Sequence, residues 1–145
     1  MDLQQLHNDL KKVDLVGISY QIFEELETFI ADLNRDQLAG KGVNSDNVDL
    51  GVYRPFTIEM KEKKSGISGI VDHVTLFDTG AFHKSILSTV INDSLILDAT
   101  DGKLSELESV WGSNILGLTE TSIKILQAKY FELFEKRLNE LLPIN

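Results

Sequence analysis

The chain has no cysteine, two prolines and fewer basic than acidic residues, and each shortage closes off a class of protein. Without cysteine there is no disulfide framework, no thiolate zinc site and no thiol nucleophile, so a core of this chain must hold by packing. With 23 acidic against 14 basic residues and a formal charge of -9, the chain has the wrong sign for non-specific capture of nucleic acid. Long apolar runs are missing too. No stretch approaches the roughly 20 residues a membrane-spanning helix needs, and "MDLQQLHNDLKK" is too polar for a secretory leader. The expectation is a soluble protein made inside a cell, without a membrane partner. At 145 residues the prior is a single domain, residues 1–145, large enough to bury its own core.

Three regions follow one another. Residues 1–40 read as helical: Leu3, Leu6, Leu10 and Val13 recur at helical spacing behind an Asp2 cap with Gln5 three residues on, and Ile18, Ile22, Leu26, Phe29 and Leu33 form a second stripe. Residues 13–17 either separate two helices or bend one. Gly40 and Gly42 are stop signals. Residues 41–72 show no sustained period, and so long a structureless stretch is normally a functional arm or is ordered by a partner. At its centre Arg54, Lys61, Lys63 and Lys64 outweigh Glu59 and Glu62. Solvated loop, contact with an acidic neighbour and contact with DNA phosphate are the three readings of that patch. Residues 73–145 are mixed. "SILSTVI" and "LILDAT" around "NDS" read as a β-hairpin at about residues 85–100. "GKLSELESVWG" reads as a short helix ending at Gly112. A long amphipathic helix then carries Ile123, Leu126, Tyr130, Phe134, Leu138 and Leu141 on one face, with Thr119 as its cap and Pro143 as its stop.

"TLFDTGAF" contains the Asp-Thr-Gly of an aspartic-protease half-site, and "NILG" at residues 114–117 resembles the segment that braces the active-site turn in retroviral-type proteases. Such an enzyme needs two carboxylates sharing a proton, hence a homodimer using Asp78. The stretch between the two segments is too short for the intervening strands and flap, and that fold is nearly all β. The simpler reading makes Asp78, Thr79 and Gly80 a structural turn. Asp78 or Thr79 caps a short helix "GAFHKSI", Gly80 permits the turn, and Phe82 and Ile86, four apart, pin it to the core. His7, His73 and His83 are scattered and read as surface residues, with Asp72–His73 and Asp78–His83 the only candidate ligand pairs. "NSDNVDLG" lacks the alternation and closing glutamate of a calcium loop and reads as a turn-rich tip. No Gly-rich phosphate loop is present, and the expectation is no cofactor, no metal and no catalytic residue.

Taken in order, "YRPFTIEMKEKK", "TLFDTGAFHKSI", a hairpin, and "ILGLT" leading into a terminal helix resemble the small virion-morphogenesis, or tail-completion, proteins of tailed bacteriophages. The matching residues are Pro55, Thr57 and Lys61; Leu76, Thr79, Gly80, Phe82, Ser85 and Ile86; and Leu116, Gly117 and Leu118. The likeness covers residues 53–126, about half of the chain. It departs from the family pattern after the hairpin, where "LESVWGSN" replaces a tyrosine and alanine leading into a "fGt" segment, and where an aromatic-rich Pro before "fLGL" is absent. The resemblance implies an α+β fold, with long N- and C-terminal helices on a small antiparallel sheet and a long extended arm. It also implies a ring-forming structural subunit of the neck or tail, made in the host cytoplasm and built into the virion. Its partners would be copies of itself and other neck or tail proteins, on the portal or adaptor side or at the tail tube, with DNA met only by passage through the channel. Tyr53, Arg54, Lys61, Lys63 and Lys64 are then the expected contacts to a neighbouring protomer, opposite an acidic helix surface around Glu24, Glu25 and Glu27. The alternatives are the protease and a small acidic binding protein that occupies a basic host surface.

Overall fold

In the computed structural model, which describes residues 2–142, the chain is α+β, with helices packed on a two-stranded antiparallel sheet. The stop expected at Pro143 lies outside the described residues. Helix α1 (Leu3–Lys11) is capped by Asp2, whose carboxylate accepts from the Gln4 and Gln5 amides. The break near Val13 separates two helices. Asp14 caps α2 (Leu15–Glu25) by accepting from the Gly17 amide at 2.9 Å. A kink at Leu26 leads into α3 (Glu27–Asp36), which ends in a π-helical turn, Gln37–Lys41. Of the two expected glycine stops, Gly42 is the one that acts: it takes a left-handed φ of 64°, and a Cβ there would stand 2.6 Å from the Val74 carbonyl.

The hairpin forms as its residues dictate. Strands β1 (Ile86–Ile91) and β2 (Ser94–Ala99) are joined by Asn92 and Asp93, both at positive φ. That is the backbone a two-residue hairpin turn requires, and these residue types tolerate it. The register pairs Ile86 with Ala99, Ser88 with Leu97 and Val90 with Leu95, which sets those six on one face. Helix α3 lies against β1, and α2 packs between β1 and α7 (Glu120–Leu141). Thr119 caps α7 by accepting from the Ser122 amide.

Two apolar clusters result. Ile18, Ile22, Leu26, Ile30 and Leu33 of the N-terminal helices meet Leu126 of α7, with Tyr130 and Phe134 closing the edge. Ala31 and Leu38 meet Val74, Leu76, Phe82, Ile86, Ala99 and Ile115. The expectation that Phe82 and Ile86 anchor their turn to the core is met here. The far ends of the expected C-terminal stripe do not share in the burial: Ile123 and Leu141 stand exposed. Helix α6 (Leu104–Trp111) ends at Gly112 as the sequence indicates, and its Leu104, Leu107 and Trp111 pack on the second of these clusters.

Residues 41–72 differ most from expectation. Pro55, at the first helical position, opens a short helix α4 (Pro55–Lys61), and a 3-10 turn follows at Gly66–Gly69. The tip "NSDNVDLG" is a turn in which Asn44 accepts from the Asp46 and Val48 amides. Leu50 and Tyr53 pack on the core, and Leu50 and Val74 donate backbone hydrogen bonds to the Gly42 and Gly51 carbonyls. The segment lies on its own body.

Candidate functional site

Where α4 meets the "TLFDTG" turn, a groove of about 550 Å³ opens between α4 and α6. Tyr53 organises its base. Its hydroxyl accepts from the Thr75 amide at 2.9 Å and the Leu76 amide at 3.2 Å, and shares a 3.1 Å hydrogen bond with the Thr75 hydroxyl. Leu76 is a buried, bulky residue at φ 57°, an unfavourable backbone geometry that the phenol and the surrounding core hold in place.

Lys61 completes the joint. Only 6% exposed, it donates to the Ser68 carbonyl at 3.1 Å and the Phe77 carbonyl at 2.7 Å, with its ammonium 4.9 Å from the centre of the Tyr53 ring. Carbonyl dipoles and a π face stand in for the water that a buried ammonium loses. Lys64 pairs with Asp78, and the Ser68 hydroxyl donates to the Asp78 carbonyl at 2.6 Å. The basic patch is therefore split. Lys61 and Lys64 tie residues 41–72 to the turn; the burial of Lys61 corrects the expectation that it faces a neighbour, and Tyr53 is committed to the same joint. Arg54 and Lys63 remain outside and make no ion pair among the described residues. Beside them Phe56, 72% exposed, and Met60 present an apolar ridge one helical turn apart.

Of the residues expected to shape the Asp-Thr-Gly turn, Thr79 and Gly80 do so and Asp78 does not. Asp78 does not cap α5 (Ala81–Ser85). Thr79 accepts from the Ala81 amide at 3.3 Å, and Gly80 sits at φ 91° against the Phe77 ring, where a Cβ would be 2.9 Å from the nearest carbon. The hydrogen bond from Lys64 holds the Asp78 carboxyl below the usual carboxylate range against a smaller opposing effect of desolvation, with help from the charges of Lys64, Lys103 and Lys61. An acid that must share a proton needs the reverse, a carboxylate neighbour raising one of the two.

The "NILG" segment has its own braces, which sequence reasoning missed. Buried Asn34 donates to the Ile115 carbonyl at 3.0 Å and accepts from the Gly117 amide at 2.9 Å. Gln37 donates to the Gly117 carbonyl and accepts from the Thr119 amide, at 2.9 and 2.8 Å. A signal was present. Asn34 stands four residues after Ile30 and four before Leu38, so an amide lies within an apolar stripe, where burial demands partners. On the next position, Arg35 fastens α3 to the His83 and Ile86 carbonyls at 2.6 and 2.7 Å.

Of the three histidines, His7 is exposed. His73 contacts Asp72 at 2.7 Å and the Ala39 carbonyl at 2.8 Å. His83 corrects the surface expectation: it is buried, and its Nε2 donates to the Thr75 carbonyl at 2.8 Å rather than meeting Asp78. Burial pushes its pKa below the usual 6.5, the Thr75 hydrogen bond opposes this, and the Arg35 charge adds to it. Among the described residues no group of three or more His, Asp or Glu is placed to hold a metal ion, and no helix is long and apolar enough to cross a membrane. Compared with protein-family models, curated proteins and solved structures, the chain finds no match.

Proposed function

We propose that this chain is a structural virion protein of a tailed bacteriophage, a ring-forming subunit of the tail-completion or head-tail connector type. One observation carries the reading: the three segments that resemble that family meet in one joint and one core. Lys61 of the first segment ends on the Phe77 carbonyl of the second. Leu76, Phe82 and Ile86 of the second form a cluster with Ile115, and Leu116 of the third packs against it. Among the residues that carry the resemblance, Lys61, Thr79 and Ser85 have their polar side chains taken up by backbone partners. That suits an architectural role, in which surfaces act rather than a reacting atom.

The surface offered to a neighbour is the outer side of α4. Phe56 and Met60 supply apolar area, and Arg54 and Lys63 supply positive charge in a chain whose formal total is -9. Apolar anchors give such a contact its affinity, while charges at the rim mainly orient it. Two cations are a poor footprint for DNA beside the six to ten phosphate contacts of a typical binder, so the patch serves protein contacts.

The test is assembly of the purified chain, followed by sedimentation velocity and electron microscopy. The wild type forms closed rings. Arg54→Glu with Lys63→Glu, and separately Phe56→Glu, leave the circular-dichroism spectrum and unfolding midpoint nearly unchanged while reducing ring formation. Lys64→Glu is unsuitable, because it sets a like charge against Asp78. A chain that stops at a homodimer and shows peptidase activity abolished by Asp78→Asn would replace this reading with the protease.

A further inference from the structure

Helix α1 has no buried residue. Its leucines recur at positions 3, 6 and 10, one face of a helix, yet Leu3 is 76% and Leu10 50% exposed. A helix of nine residues is shorter than the roughly 12 to 15 at which isolated helices become even marginal in water, so tertiary packing normally holds such an element. Elsewhere the same chain leaves an apolar groove of about 590 Å³ uncovered. It lies where the first-described cluster, around Leu126, reaches the surface, lined by Phe23, Leu95, Leu118, Ile123, Tyr130 and Phe131, with Phe131 62% exposed.

We propose that α1 of one copy lies in this groove of the next copy, so that each protomer gives one helix and receives one. The inference rests on the ring reading above, for which it supplies a contact between adjacent subunits besides the α4 surface. A helix laid into an apolar groove and anchored at positions spaced by three and four is a recurrent mode of recognition. Two different surfaces that complement one another make a head-to-tail contact, the kind that closes into a ring. Charge favours this occupant. In residues 2–12 two acids balance two lysines, so the formal charge of -9 belongs to the rest of the chain. The neutral helix is thus a part of the molecule that a second acidic body does not repel.

The joint between α1 and α2 is fastened at three places. Lys12 and Val13 donate to the Asp9 and Leu10 carbonyls, Val13 packs against the cluster of α2, and Asp14 is fixed on the Gly17 amide.

Absence of native cysteine makes cross-linking a clean test. A Leu6→Cys chain and an Ile123→Cys chain, carrying tags of different size, are mixed and treated with a short bis-maleimide, while sedimentation velocity reads assembly separately. The expected product is a heterodimer of the two tags. Adding Leu3→Glu and Leu10→Glu to the first chain should reduce it at least tenfold, and Asn47→Cys at the exposed loop tip should not replace Ile123→Cys. Assembly without this product overturns the inference and leaves the ring reading standing. The product from chains that do not close into rings supports the contact and overturns the ring. A monomeric double-cysteine chain that cross-links within itself shows α1 covering its own groove and overturns the proposal.

Discussion

Lys61 brings a cation into a nearly closed place, and the Ser68 and Phe77 carbonyls with the Tyr53 ring hold it there. Lys61→Met keeps most of the packed stem and removes the donor, leaving two carbonyls short of a partner. Orphaned buried groups cost about 1–3 kcal/mol each, so urea unfolding should show a loss of that order or more, whereas the exposed Lys63→Met should stay within about 0.5 kcal/mol of the wild type. His83 gives a pH signature. Its folded pKa lies below the usual 6.5, so the unfolded chain binds the proton more readily. The stability contributed by the neutral ring is complete above 6.5 and is lost as pH falls from there through the lowered value. The wild type should therefore lose stability relative to His83→Gln on going from about pH 7 to about pH 5; parallel curves would contradict the assignment. Neither role was legible in the sequence. Lys61 stands in a run of charges that a solvated face explains equally well, and His83 is covered in part by a residue distant in sequence, the Arg35 that holds its carbonyl.

Helix α3 does more than fill the core, because Asn34, Arg35 and Gln37 reach backbone on two sides of it. Asn34→Ala should release the Ile115 carbonyl and the Gly117 amide at a cost of about 1–3 kcal/mol for each. Amide exchange at Gly117 and Thr119 should quicken while the hairpin stays protected. Residues 41–72 can be read by the same method. The amides of Leu50, Glu62 and Val74 have backbone acceptors, so they should exchange slowly in a verified monomer; fast exchange at all three would restore the free arm expected from composition. What the sequence made readable at this scale is local. The helices themselves, the Asp2 and Thr119 caps and the Asn92–Asp93 turn are set by neighbours in sequence, and all are found. The docking of residues 41–72 depends on Tyr53 and Lys61 meeting residues 75–77, and a periodicity search has no access to such contacts. The groove beside Asp78 was legible only as a motif; that its carboxylate faces Lys64 required the fold.

For the whole molecule, a formal charge of -9 opposes random association, and selective assembly needs local features that outweigh it. Three are available: the leucine face of α1, the groove beside α7, and the α4 ridge with Arg54 and Lys63. The central claim is that these surfaces build a part of a virion, and the abundance of the chain in purified tailed particles tests it most directly. Quantitative mass spectrometry of particles released by cells that carry this sequence should find it at a fixed copy number per particle, retained through density-gradient purification and consistent with one closed ring. Its absence from intact particles, with the chain recovered only in the unassembled fraction, would contradict the account.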